Sequence, residues 1–232
     1  MNSLIKNFFP AISLSAFVSM AGCFGSASRD KAEPEQIYFD YKVTGEEGND
    51  SVSVVLKFKE YDEFGPAVSI EPGTVTLDGR PVPADSSSMT GPYYAAHRHI
   101  REFTGRHTIQ VILPDDKKYE DEFYFRPFSV RSGISDTIHR SRLLLEFEGL
   151  DKNDIVRILM TDTSFTGEGI NRVDTVWNNK LTITRNALSY LENGPINLEL
   201  VREQEMPLRN ATDAGGAISI FYSIRREFWL KD

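Results

Sequence analysis

The sequence predicts an all-β protein built as two tandem β-sandwiches behind a short leader and tether. Runs of alternating apolar and polar residues recur from Ile37 to Trp229, bounded by turn clusters of Gly, Asp, Asn and Pro. No convincing amphipathic helix interrupts them, which argues for a β-sandwich. The pattern of the first half also returns in the second at a constant offset.

In order along the chain, Ile37, Phe39, Tyr41 and Val43 alternate with Tyr38, Asp40 and Lys42, as in a strand with one buried face. A turn cluster at 45–50 leads to Val52, Val54, Leu56 and Phe58, so the two runs form a hairpin or sit on opposing sheets. Strands are expected at 74–77, closed by Asp78-Gly79, and at 93–100, 108–113 and 119–128, the last two joined by a polar turn at 115–118. In the second half Leu143, Leu145 and Phe147 alternate, and further strands are expected at 155–160, 173–177, 180–184, 196–202 and 217–229. Ala187, Leu188 and Leu191 fit one short helical turn that Gly194 can stop.

The offset rests on two anchor points. Leu56-Lys57-Phe58-Lys59 parallels Leu145-Glu146-Phe147-Glu148, with Asp62 and Asp151 following each at the same distance. The segments opening at Gly105 and Gly194 match as well, and the separations agree: 147 − 58 = 89 and 194 − 105 = 89. A domain duplication predicts this, with sandwiches at 37–130 and 131–232 and a break in the alternation at Arg131-Ser132-Gly133.

Ahead of these halves, Lys6 precedes an apolar run from Phe8 to Met20 broken by Pro10 and serines. This is the layout of a secretory signal, and it is too short for a membrane span of roughly 20 apolar residues. The segment closes on Met20-Ala21-Gly22-Cys23, which holds the one cysteine of the chain. These four residues resemble the lipobox of bacterial lipoproteins: an aliphatic residue, a small one, Gly or Ala, then Cys, with Met20 in place of the commoner Leu. The resemblance implies removal of residues 1–22, a lipidated Cys23 as mature N-terminus, and membrane attachment through it. Residues 23–36 are small, polar and charged, and read as a flexible tether.

Composition narrows the function classes. The chain has 26 basic against 34 acidic residues, a net charge of -8, which argues against nucleic acid as a partner. With its single cysteine lipidated, neither disulfides nor cysteine metal sites would hold the fold, and packing must do so. Together the halves look like the tandem immunoglobulin-like domains of exported bacterial lipoproteins, although the cysteine pair of antibody domains is missing. The resemblance implies an interaction module in the cell envelope.

Candidate chemistry is sparse. His97 and His99 share one face of a strand, but they lie in a cationic patch with Glu102 as the near carboxylate, which favours a solvated face over a metal site. No Gly-x-Ser-x-Gly elbow or phosphate-cradling glycine loop is present. Asp162, Glu168 and Asp174 place oxygen ligands on a loop with Gly167 and Gly169, a weak calcium candidate without EF-hand spacing. Tyr94 and Trp229, each one of an adjacent aromatic pair, are candidate contacts for a glycan or a protein. Asp50-Ser51-Val52, Asp136-Thr137-Ile138 and Asp174-Thr175-Val176 resemble the O-glycosylation acceptors of exported proteins in one phylum of Gram-negative bacteria. The expectation is a lipid-anchored, cofactor-free, non-catalytic scaffold or protein-interaction module of the outer membrane, with glycan binding and then hydrolysis as the alternatives.

Overall fold

Alternation becomes strand almost residue for residue in the computed structural model, which describes residues 34–164 and 169–232. The expected signal segment 1–22, Cys23, the expected tether up to residue 33 and Glu168 therefore lie outside the described residues. The first half runs β1 (Ile37–Glu46), β2 (Ser51–Glu60), β3 (Ala67–Val68), β4 (Thr74–Leu77), β5 (Arg80–Pro81), β6 (Ala84–Ser87), β7 (Gly91–His99), β8 (Gly105–Ile112) and β9 (Lys118–Phe125). The first two expected strands form a hairpin, Val43 opposite Val54 and Phe39 opposite Phe58. One sheet runs β1-β2-β7-β6 and the other β5-β4-β8-β9. Their inner faces meet edge-on where the Phe39 and Tyr119 rings stand 5.2 Å apart at 89°.

The second half runs β10 (Ser129–Val130), β11 (Thr137–His139), β12 (Leu143–Glu148), β13 (Ile155–Asp162), β14 (Ile170–Thr175), β15 (Lys180–Ile183), the helical turn α1 (Arg185–Leu188), β16 (Gly194–Pro207) and β17 (Gly216–Lys231). Its strand orders are β10-β12-β15 and β14-β13-β16-β17. These repeat the orders β1-β2-β7 and β5-β4-β8-β9, so β2 and β12, β4 and β13, β8 and β16 hold equivalent places. This arrangement is an all-β immunoglobulin-like sandwich plan. The break at Arg131-Ser132-Gly133 marks a strand changing sheets: β10 pairs with β12, whereas β11 crosses to pair in parallel with β17. It falls inside the second half, after the strand that begins it.

The halves do more than follow one another. β16 and β17 form a hairpin of 14 paired positions, against 8 in its equivalent β8–β9. Its outer part leaves the second half and lies along the first. Gly216–Ser223 of β17 pair in parallel with Phe39–Glu46 of β1. The result is one sheet that runs without a gap as β14-β13-β16-β17-β1-β2-β7-β6. The described residues accordingly form one compact unit.

Buried polar groups hold this seam. The Asp121 carboxylate on β9 accepts from the backbone N–H of Arg209 (2.7 Å) and Asn210 (3.2 Å) in the hairpin loop, and the Thr212 hydroxyl donates to the Ile37 carbonyl at 2.6 Å. At the other end of the seam Tyr222 packs against Phe125 and Phe128 at 6.1 and 5.4 Å. Arg202, almost fully buried, donates there to the Arg126 carbonyl, while Arg126 forks onto Asp151. Burial lowers the Arg202 pKa, partly offset by Asp154.

Candidate interaction surface

Parity along β7 decides the fate of Tyr94. It faces inward with Ala96, is 4 % exposed, and meets the Phe58 ring edge-on at 5.4 Å. The expectation of Tyr94 as a surface contact is therefore corrected: it is a core residue, and Tyr93 is the outward member of the pair, donating its hydroxyl to Asp85 at 2.9 Å. The Tyr94 hydroxyl lies near Ser69 and the Ile70 backbone but outside hydrogen-bond geometry, and burial raises its pKa. A buried hydroxyl without a partner costs stability. Tyr94→Phe is thus expected to raise stability by about 1 kcal/mol, read as a rise in denaturant midpoint at unchanged slope. A fall instead would mean the hydroxyl is satisfied in solution.

Trp229 is 47 % exposed on β17, with Thr137 and Pro195 as its cross-strand neighbours. From it the outward face of β13, β16 and β17 carries Leu159, Thr161, Asn197, Glu199, Arg225 and Glu227, which line a shallow groove of ≈ 380 Å³. The groove floor is shaped by fixed charges: Arg225 pairs with Glu199 at 3.1 Å and with Glu46 of the first half at 3.0 Å. Arg157 forks onto Glu203 at 2.8 and 3.0 Å beside it, and that fork raises the Arg157 pKa. Such a face sets Leu159 and the exposed Trp229 among paired charges. It suits a macromolecular partner better than a buried small ligand. The sequence hides this face, because its residues are the polar positions of the alternation and gather only when three strands separated in sequence pair.

The remaining candidates are placed as follows. His97 and His99 stay exposed opposite Ser53 and Ser51, and the His99 ring accepts from the Arg101 N–H at 3.3 Å. His107 is buried instead, stacked on Phe103 at 3.7 Å, with one ring nitrogen 2.8 Å from Asp78 and the other 3.0 Å from the Phe103 carbonyl. Asp162 has both oxygens engaged: one accepts from the Ser164 N–H and hydroxyl at 2.9 and 2.8 Å, the other from the Glu192 N–H at 2.8 Å. These bonds, the one from Glu192 foremost, lower its pKa. Asp174 pairs with Arg172 at 2.7 Å, and Glu168 lies outside the described residues. Among the described residues no three His, Cys, Asp or Glu side chains cluster as a metal site would need. Ser51 opens β2, while Thr137 and Thr175 are exposed at the start of β11 and the end of β14.

No family profile matches the chain, and no curated protein matches it. Among solved structures it is similar to the two immunoglobulin domains of DIP-gamma, at 9% identity over 84% of this chain and 95% of that one, with a TM-score of 0.25. It is also similar to a bacterial ice-binding adhesin, at 13% identity over 83% and 64% of the two chains and a TM-score of 0.24. Fibronectin(III)-like modules of Clostridium thermocellum CbhA match at 12% identity over 85% and 93%, with a TM-score of 0.22. Likenesses this slight add nothing to what the strand order shows, and function has to be argued from the surface itself.

Proposed function

We propose that the chain is a lipid-anchored cell-envelope protein of the outer membrane, acting as a non-catalytic scaffold that presents a protein-binding face. The observation that carries the reading is the shared strand β17. Its start, Gly216, lies beside Phe39 at the tether end of the first half, and Glu227 of the groove follows 11 residues later along the same strand. At about 3.3 Å per residue the groove stands roughly 35 Å from the tether end. A tether, a continuous sheet and a mixed-charge face at its far part make a spacer with a presented surface. The polar groups buried at the seam support this too, since they are spent on structure: Asp121, Thr212 and Arg202 all bond backbone.

Photo-crosslinking in the native envelope tests it. A crosslinker at Asn197, in the groove, is expected to trap a discrete protein, whereas one at Glu122 on β9 does not. Leu159→Arg should lower the Asn197 yield at least tenfold, a change of about 1.4 kcal/mol. Equal trapping at both positions, or binding on a glycan array that Trp229→Ala abolishes, would replace the protein-scaffold reading with a different one.

A further inference from the structure

Two loops at the tether end of the first half hold large apolar side chains out in solvent. Tyr61, Phe64 and Met89 are 64%, 88% and 94% exposed. Where β7 leaves the edge of β2, β3 takes its place, and a Cβ on Gly91 would lie 3.1 Å from that of Ala67. The 61–66 loop and the 88–90 turn are therefore neighbours.

Local bonds fix both backbones. The Phe64 N–H donates to Asp62 at 2.8 Å, the Lys59 ammonium donates to the Glu63 carbonyl at 2.8 Å, and the Thr90 N–H donates to the Ser87 hydroxyl at 3.0 Å. Gly65 is closed so tightly that a Cβ would lie 1.8 Å from the Glu60 carbonyl oxygen. The apolar tips are thus held outward by hydrogen bonds behind them. No described residue covers them.

Position says what does. The Tyr61 N–H donates to the Gln36 carbonyl at 2.7 Å, so these loops sit where the chain comes in from its N-terminal side. Cys23 is only 11 residues before Pro34 (34 − 23), a reach of at most about 40 Å even when fully extended. We infer that Tyr61, Phe64 and Met89 form a membrane-contact tip that dips into the zwitterionic headgroup layer beside the anchor and orients the molecule upright. This rests on the lipid-anchor reading. Aromatic and apolar tips partition into that layer, while Asp62 and Glu63 next to Phe64 disfavour an anionic surface. A second copy or a soluble partner would leave the tip indifferent to lipid.

Depth-dependent quenching tests it without relying on native lipidation. The chain from Cys23 onward, with Phe64→Trp, is coupled through the Cys23 thiol to a maleimide lipid in phosphatidylcholine vesicles carrying brominated acyl chains. Native Trp177 and Trp229, both in the second half, serve as the background. The added fluorescence is expected to fall at least twofold against unbrominated vesicles, with less quenching when the vesicles are phosphatidylglycerol. Equal fractional quenching of parent and variant overturns the inference, as does quenching that survives Met89→Asp with Tyr61→Asp. Failure of the anchor reading shows separately, in fractionation of the Cys23→Ala protein.

Discussion

Tyr222→Ala is expected to split the thermal unfolding of this protein from one transition into two. Tyr222 is buried where the halves join, with Phe125 from β9 and Phe128 from the connection around it. The packing is close: a Cβ on Gly45 would come within 2.7 Å of the Phe125 ring and 3.2 Å of Tyr222. Truncating such a ring costs about 3–5 kcal/mol, a large share of the roughly 5–15 kcal/mol that a domain has in total. The parent protein is expected to melt once, because eight parallel pairs along β1 and β17 and the anchors at Asp121 and Thr212 make each half part of its neighbour's sheet. In the variant those pairs remain, but the apolar plug that keeps water from their ends is gone. Calorimetry separates the cases. Two peaks in the parent would show that the shared sheet does not couple the halves, and a single lowered peak in the variant would move the coupling elsewhere.

The core is legible in the sequence and the seam is not. The repeat at a constant offset marks Leu56 and Leu145, Ile109 and Leu198, and Val111 and Leu200, and every one of them is buried at an equivalent place. Gly105 and Gly194, the second anchor point, both have positive φ, 125° and 140°, at the starts of β8 and β16. Alternation states which face of a strand is buried, however, and not which strand lies beside it. The pairing of β1 with β17 leaves no mark, since the same inward set would serve an exposed edge. The outer hairpin is hidden for a related reason: Glu203, Gln204 and Glu205 read as loop, yet they form strand over the seam with neither face deeply covered. Tyr93 and Tyr94 are not separable because Ala95 and Ala96 follow, and two small residues give no parity. Arg202, by contrast, carries a signal, being in phase with the inward Ile196, Leu198 and Leu200.

Cys23→Ala is expected to move the protein from the membrane fraction to the soluble fraction almost completely. On the lipid-anchor proposal, Cys23 carries a diacylglyceryl group and an N-acyl chain, and each buried CH₂ adds about 0.8 kcal/mol, so several chains anchor stably where one is marginal. No helix among the described residues is long and apolar enough to cross a membrane in their place. An uncleaved segment from Phe8 to Met20 would be 13 residues, about 20 Å as a helix against a hydrocarbon core of about 30 Å. The exposed Tyr61, Phe64 and Met89 side chains bring at most about 4–8 kcal/mol together, comparable with a single acyl chain and so marginal for retaining a free protein. Loss of the thioether therefore removes most of the affinity for the bilayer, and mass spectrometry of the N-terminal peptide should show the acyl mass in the parent alone. A Cys23→Ala protein that still sediments with the envelope would overturn the lipid anchor, with release by carbonate washing placing the attachment in a protein partner and retention placing it in an embedded apolar segment; a parent that is soluble would overturn the anchor outright.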